Sequence, residues 1–246
     1  MIRGPSFRRW LGVGLALALF GAVAVGAADA DDGPAISPGL EAAGWTLFSD
    51  PRWAPARFGL VGDGSIEAVA DNSTSLIWKK VEGADADRRY LTWQWRVEEN
   101  MPPTDITVKG GDDRPLAIHV WFMEPPERRT TWQVVRAKVL EFIFGLPVHG
   151  RVLTYVWGGT GDRGDAQRNP HIGEDSWMIV LRSGRAPTGE WFAETRDLEA
   201  DYRAAFGEAP PPRGIVAIAA DSEDTATRSR ALVRDLRFVD AAGNAS

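Results

Sequence analysis

The sequence predicts a mainly β protein: an antiparallel β-sandwich of jelly-roll type, with one inserted amphipathic helix and one short helix before the last strands. Three observations lead there. About eleven short runs rich in β-branched and aromatic residues recur at irregular spacing, with no internal repeat. The longest of them, Tyr90 to Val97, places Leu91, Trp93, Trp95 and Val97 on one face and Thr92, Gln94, Arg96 and Glu98 on the other. That period of two marks a strand with one dry and one wet face, as in an antiparallel sheet packed on one side. Third, the period lengthens between Glu124 and Val148: Trp132, Val135, Val139, Phe142, Ile143 and Leu146 recur at three- and four-residue spacing, and Gly145 and Pro147 end the run. This is an amphipathic helix inserted in a β chain.

The elements follow in order. Trp45 to Phe48 is the first strand, and Pro51 and Pro55 exclude a helix around Trp53. Phe58 to Val61 and Ser65 to Ala70 form a hairpin about Gly62-Asp63-Gly64, residue types that tolerate positive φ. Asp71-Asn72-Ser73 turns the chain into Thr74 to Lys80. After Tyr90 to Val97 comes a polar bend holding Lys109 and Gly110-Gly111-Asp112-Asp113. Then Ala117 to Phe122 alternates again, with Ile118, Val120 and Phe122 opposite His119 and Trp121. Arg151 to Trp157, Ser176 to Arg182 and Glu190 to Asp197 are strands, with a long polar loop from Gly158 to Gly173. Leu198 to Phe206 is a short helix closed by Gly207 and Pro210-Pro211-Pro212. Gly214 to Asp221 and Ala231 to Val239 complete the set.

The N-terminus has a different composition. Arg3, Arg8 and Arg9 precede an uncharged apolar run from Trp10 to Val25, and small residues follow through Ala28. This is the pattern of a cleaved secretory leader; the run is short for a bilayer span, and the Arg8-Arg9 pair leaves the twin-arginine route open beside the general one. The expected organisation is a signal peptide at 1–28, a linker at 29–40, one β-sandwich domain at 41–240 and a tail at 241–246. Cleavage would remove three arginines and no acid, moving the net charge from −6 to −9. So acidic a chain is a poor binder of nucleic acid. With no cysteine, disulfides, thiolate metal sites and a cysteine nucleophile are excluded. The expected location is periplasmic or secreted, with no transmembrane span after cleavage.

Candidate chemistry gathers in a few places. If the two alternating strands pair, Gln94, Arg96, His119 and Trp121 line one polar surface, on which the Trp121 indole can stack against the apolar C–H face of a sugar ring. Lys109, Asp112 and Asp113 form the densest charge cluster and are read with that surface as ligand-binding residues. Asp112 and Asp113 are also the carboxylates a glycosidase reading would use, whereas a solvated turn explains them without catalysis. Asp221, Glu223 and Asp224 read as a hard-cation site, calcium being the metal such oxygen ligands suit, or more simply as a turn cap. His119, His149 and His171 lie in separate segments without zinc-site spacing, and no serine-nucleophile elbow, phosphate loop or dinucleotide fingerprint is present.

Several motifs resemble one family in the same order: Trp93-Gln94-Trp95-Arg96-Val97, Lys109 with Gly111-Asp112-Asp113, Val120-Trp121-Phe122 and Tyr155-Val156-Trp157-Gly158. Arg196-Asp197 with Asp201-Tyr202, Phe206-Gly207, Ala217 to Thr225 and Ala231 to Phe238 continue the series. The chain resembles the bacterial envelope family called domain of unknown function 3047, which implies a secreted β-rich domain with no assigned activity. The aspartate loop before Leu232 to Phe238 is also similar to the closing pattern of jelly-roll carbohydrate-binding and galactose-binding-like domains, a likeness that transfers no binding residues. The resulting expectation is a soluble envelope β-sandwich that binds a carbohydrate or glycan-like ligand without turning it over, its partner being a glycan or another cell-envelope component. The alternatives are a glycan-active enzyme using Asp112 or Asp113, and a structural or assembly protein working through the inserted helix.

Overall fold

The computed structural model describes residues 33–124 and 150–241. The predicted leader at 1–28, the inserted helix predicted between 132 and 146, and the end of the tail lie outside the described residues. Twelve strands run through the rest: β1 (Thr46–Phe48), β2 (Arg57–Leu60), β3 (Ile66–Asp71), β4 (Thr74–Lys80), β5 (Tyr90–Glu99) and β6 (Arg114–Phe122), then β7 (Arg151–Trp157), β8 (Ala166–Asn169), β9 (Gly173–Arg182), β10 (Phe192–Asp197), β11 (Arg213–Asp221) and β12 (Arg228–Val239). Two helices accompany them, α1 (Pro38–Ala42) and α2 (Leu198–Phe206). The strands form a seven-stranded sheet in the order β1-β4-β11-β6-β7-β9-β8 and a five-stranded sheet in the order β10-β5-β12-β3-β2. Within the sheets only β7 and β9 pair in parallel. The protein is therefore the mainly β, mostly antiparallel sandwich that the alternation predicts.

The dry faces meet as the period of two requires. Leu91, Trp93, Trp95 and Val97 of β5 are fully buried, as are Leu116, Ile118, Val120 and Phe122 of β6. Aromatic contacts join the two sheets: Trp93 lies 5.4 Å from Tyr155 and Trp95 lies 5.5 Å from Trp157, between ring centroids. Each such ring removes a large apolar area from water, about 1.5–3 kcal/mol per buried large side chain. Helix α2 is capped by Asp197, which accepts the Ala200 N–H at 3.1 Å, and ends at Gly207 in the left-handed region. Its Tyr202 packs 4.6 Å from Phe122, so the helix closes onto the same core.

Three features differ from expectation. β5 and β6 do not pair: β5 lies between β10 and β12, and β6 between β11 and β7. Segment 100–113 carries the chain from one sheet to the other, so it is the dry faces of these strands, not their edges, that confront each other. β8 occupies part of what the composition marks as a polar loop; it is an edge strand of Ala-Gln-Arg-Asn, with no apolar alternation to betray it. α1 is a single turn, started by Pro38 and anchored by the fully buried Leu40. Among the described residues no helix is long and apolar enough to cross a membrane.

Candidate functional site

The carboxylates read from sequence as two clusters, 112–113 and 221–224, form one. β6 and β11 are neighbours, and their register sets Arg114 opposite Asp221. Arg114, almost fully buried, donates to the Asp221 carboxylate at 2.8 Å and to the Asp112 carbonyl at 2.6 Å. Asp113 is buried and accepts three hydrogen bonds from the β11–β12 loop: from the Asp224 N–H at 3.3 Å, the Thr225 N–H at 2.7 Å and the Thr225 hydroxyl at 2.6 Å. Asp112 meets His171 Nε2 at 2.8 Å, from the β8–β9 turn. The backbone beneath is pinned, since Thr104 donates its hydroxyl to the Asp113 carbonyl at 2.7 Å and Ile106 packs against Val156, Met178 and Val180.

Five carboxylates and one arginine in so small a volume leave negative charge uncompensated. Burial raises the Asp221 carboxyl above its ordinary range, while Arg114 and the Thr74 hydroxyl pull it back. Burial, followed by the charge of Asp221, pushes Glu223 up to about 8. Asp224 is raised by partial desolvation and by Asp113 and Asp112. Oxygens of Asp113, Glu223 and Asp224 lie within 4.8 Å of one another, a spacing that a cation with oxygen ligands at about 2.3–2.6 Å can bridge. Glu223 and Asp224 thus belong to the converging trio, whereas Asp221, read from sequence as the third ligand, is engaged by Arg114 and Thr74 and gives way to Asp113.

The remaining predicted residues separate. Gln94 and Arg96 are on the outer face of the five-stranded sheet, where Arg96 pairs with Glu98 at 2.6 Å and covers the Trp191 ring from 4.8 Å. Arg234 approaches the same ring at 4.0 Å. His119 and Trp121 are on the outer face of the other sheet, and neither is open to solvent. Trp121 is 7% exposed in a second apolar cluster with Trp78, Val152, Ile215 and Ala217. His119 is equally buried; its Nδ1 meets the Thr154 hydroxyl at 2.9 Å, and burial together with Arg114 pushes its imidazole down to about 3. The four residues therefore line no common surface. The alternation identifies the face opposite the core correctly, but in the middle of a seven-stranded sheet that face is also covered. Lys109 is exposed and makes no ion pair among the described residues.

A cleft that the sequence reading missed opens where β4 ends beside β12. β12 carries an extra residue between Arg234 and Arg237, with Asp235 at φ 55°, a bulge after which its pairing with β5 resumes at Arg237 and Thr92. Gln94 clamps the bulge, accepting from Arg234 NH2 at 2.9 Å and donating to Asp235 at 3.2 Å. The cleft holds about 280 Å³ over an apolar floor that includes Val81, Val216 and Phe238, and Trp45 forms a wall. α1 sets that wall: Gly44 adopts φ 86°, and the Trp45 N–H returns to the Leu40 carbonyl at 3.0 Å. Lys79, Lys80, Glu82 and Arg237 line the cleft without an ion-pair partner among the described residues. Only the unusual density of charge at Lys79-Lys80 and Arg234-Asp235 hints at it in the sequence.

Two sheets packed about an aromatic core, with a carboxylate cluster at the loops and a cleft at a strand bulge, define a β-sandwich protein. The chain belongs to the family described as "Protein of unknown function (DUF3047)", whose model matches residues 50–237. No curated protein matches it. Among solved structures, it is similar to the xyloglucanase domain of NopAA, a type three effector from Sinorhizobium fredii, in complex with cellobiose. The identity is 10% and the TM-score 0.43, over 80% of this chain and 94% of that one. A likeness of that degree assigns neither ligand nor activity to this chain.

Proposed function

We propose that this protein is an exported β-sandwich that binds a carbohydrate-like ligand in the cleft beside Trp45. One observation carries the reading: an indole and apolar side chains share a small cleft with Lys79, Lys80, Glu82 and Arg237, which have no ion-pair partner among the described residues. A sugar ring has the matching character, apolar on its C–H faces and hydrogen-bonding at its edge. The volume of about 280 Å³ suits one ring or the end of a chain, since sites for larger ligands run to roughly 1,000 Å³. Binding without turnover fits the carboxylates, because Asp85 is held by Arg88 and Asp235 by Gln94, leaving Glu82 without a carboxylate partner for two-group glycoside hydrolysis. Asp112 and Asp113 lie elsewhere and are engaged by His171, Arg114 and Thr225. Export rests on Arg3, Arg8 and Arg9 before the apolar run and on the small residues that follow it. The test is a glycan array followed by calorimetry. Retention of a glycan, lost in Trp45→Ala with circular dichroism unchanged, supports the reading. No retention, or retention indifferent to Trp45→Ala, overturns it.

A second reading concerns the carboxylate cluster, where we propose a calcium ion bound by Asp113, Glu223 and Asp224. The observation favouring it is Glu223 Oε2, buried without a hydrogen-bond partner beside two converging carboxylates. Calorimetric titration of chelator-treated protein with calcium tests it. Heat of binding that disappears in Glu223→Gln supports a bound ion, and a flat isotherm at pH 8.5 rejects it.

A further inference from the structure

We infer that the ligand of the Trp45 cleft is an acidic sugar, carrying a carboxylate or phosphate that Lys79, Lys80 and Arg237 receive. This rests on the carbohydrate reading above and adds the charge class. In a chain of net charge −6, the cleft lining carries four cations, Lys79, Lys80, Arg234 and Arg237, against Glu82, Asp85 and Asp235. Asp85 is already committed to Arg88 at 2.6 Å and Arg234 to Asp63 at 3.8 Å, which leaves Lys79, Lys80 and Arg237 against Glu82 and Asp235, an excess of one positive charge.

The pairing pattern elsewhere makes the excess informative. Among the described residues most arginines hold a carboxylate: Arg89 with Asp197, Arg114 with Asp221, Arg182 with Glu194, Arg196 with Asp201 and Arg230 with Glu67 are examples. Among the described residues Lys79, Lys80 and Arg237 have no such partner and line this one cleft, whereas the other cations without one, Arg57, Lys109, Arg185 and Arg213, lie apart from it. Cations that outnumber the acids around a concavity with apolar walls give it a net positive potential, which attracts an anion and is relieved by it. The fixed neighbours sharpen the site. The β12 bulge, clamped by Gln94, presents Arg237 opposite the end of β4, and Trp45 supplies a stacking face beside the cations. A second hollow of about 350 Å³ shares Asp85, Arg237 and Phe238 with the first and extends past Arg88, giving a chain of sugar units room to continue.

The experiment compares, by calorimetry on the full mature protein, tri-galacturonate, its neutral methyl ester, and glucose 6-phosphate. The methyl ester keeps the ring faces and removes the charge, and the phosphate arm separates the two anionic sources. We expect tri-galacturonate or the sugar phosphate to bind at least about tenfold more tightly than the ester, with the difference shrinking in 0.5 M salt. In Lys79→Gln/Lys80→Gln/Arg237→Gln the acidic ligand should fall to the affinity of the ester while the ester is unchanged; Arg237→Gln alone gives a smaller drop and serves if the triple variant unfolds. Equal affinity for acidic and neutral sugars, or an acid preference that survives the substitutions, overturns the charge inference and leaves the carbohydrate reading standing. Binding of no sugar, neutral or acidic, overturns both.

Discussion

Asp113 and Thr225, 112 positions apart in the chain, are joined by two hydrogen bonds to one carboxylate oxygen: from the Thr225 N–H at 2.7 Å and from its hydroxyl at 2.6 Å. The carboxylate is buried, so its loss leaves a backbone N–H without a partner. Asp113→Ala should therefore cost about 2–4 kcal/mol, and Thr225→Val, which keeps the backbone bond, about 1 kcal/mol. Urea denaturation measures both. A cost for Asp113→Ala under about 0.5 kcal/mol, the range of an ordinary surface change, would mean that the loop holds without this anchor.

Glu223 gives the fold a pH dependence of definite sign. Its folded-state pKa of about 8, raised by burial and then by Asp221, exceeds the ordinary value of 4.5. Between those values the folded protein binds more protons than the unfolded chain, so stability falls as pH rises from about 4.5 to about 8 and levels off beyond. Asp221 and Asp224 are shifted in the same direction and add to the fall. The Glu223 side chain is only partly buried, so solvent screening limits its share to about 1–2 kcal/mol. Chemical denaturation at pH 5 and pH 8.5 should show wild type losing stability at the higher pH and Glu223→Gln losing less. Parallel profiles for the two proteins would remove Glu223 as the cause.

Calcium should reverse that loss. An ion held by Asp113, Glu223 and Asp224 competes with the proton on Glu223, so it binds better at pH 8.5 than at pH 6. At a hundredfold excess over Kd the stabilisation is about 2.7 kcal/mol, which raises Tm by about 5–10 °C in a chain of this size. Asp224→Asn should reduce the rise. Identical melting curves in calcium and in chelator at pH 8.5 would count against the ion.

Strand alternation made the fold legible because each dry face has to be buried whatever its neighbours are. It could not say which neighbours, and so β5 and β6 read as a pair when they belong to opposite sheets. His119 and Trp121 look wet beside Ile118 and Val120, yet the outer face of a central strand carries its own apolar cluster with Trp78 and Ile215. Asp112-Asp113 and Asp221 to Asp224 were both visible as charge clusters. Their union depends on β6 pairing with β11, a contact across about a hundred residues that no local pattern encodes. The Trp45 cleft was least legible, since it is made by a bulge and by the end of a strand rather than by a motif.

Glu194 is the most demanding carboxylate of the five-stranded sheet. It is 3% exposed and receives Arg182 Nε at 2.7 Å, Arg163 NH2 at 3.0 Å and the Trp95 indole N–H at 3.3 Å. Glu194→Ala leaves Arg182 and a buried indole unpaired and should cost about 3–5 kcal/mol. Arg163, more than half exposed, is screened, and Arg163→Ala should cost less than about 1 kcal/mol. Equal losses in the two variants would show that the desolvated Arg182 and Trp95 contacts contribute nothing of their own.

The two tryptophans that compete as sugar platforms make opposite predictions. Trp121 is 7% exposed among Trp78, Val152, Ile215 and Ala217, so Trp121→Ala opens a cavity and should cost about 3–5 kcal/mol while ligand affinity is kept. Trp45 is only partly buried, one side packed against the core and the other at the cleft, so Trp45→Ala should cost about 2 kcal/mol, less than Trp121→Ala, yet lower ligand affinity about tenfold or more. Measuring Tm and affinity on both variants separates the cases, because a ring that packs and a ring that binds move different quantities. If Trp121→Ala abolishes binding with Tm unchanged, the polar face of β6 is the ligand surface after all. The indole of Trp45 would then be a lid on the end of β4 and nothing more.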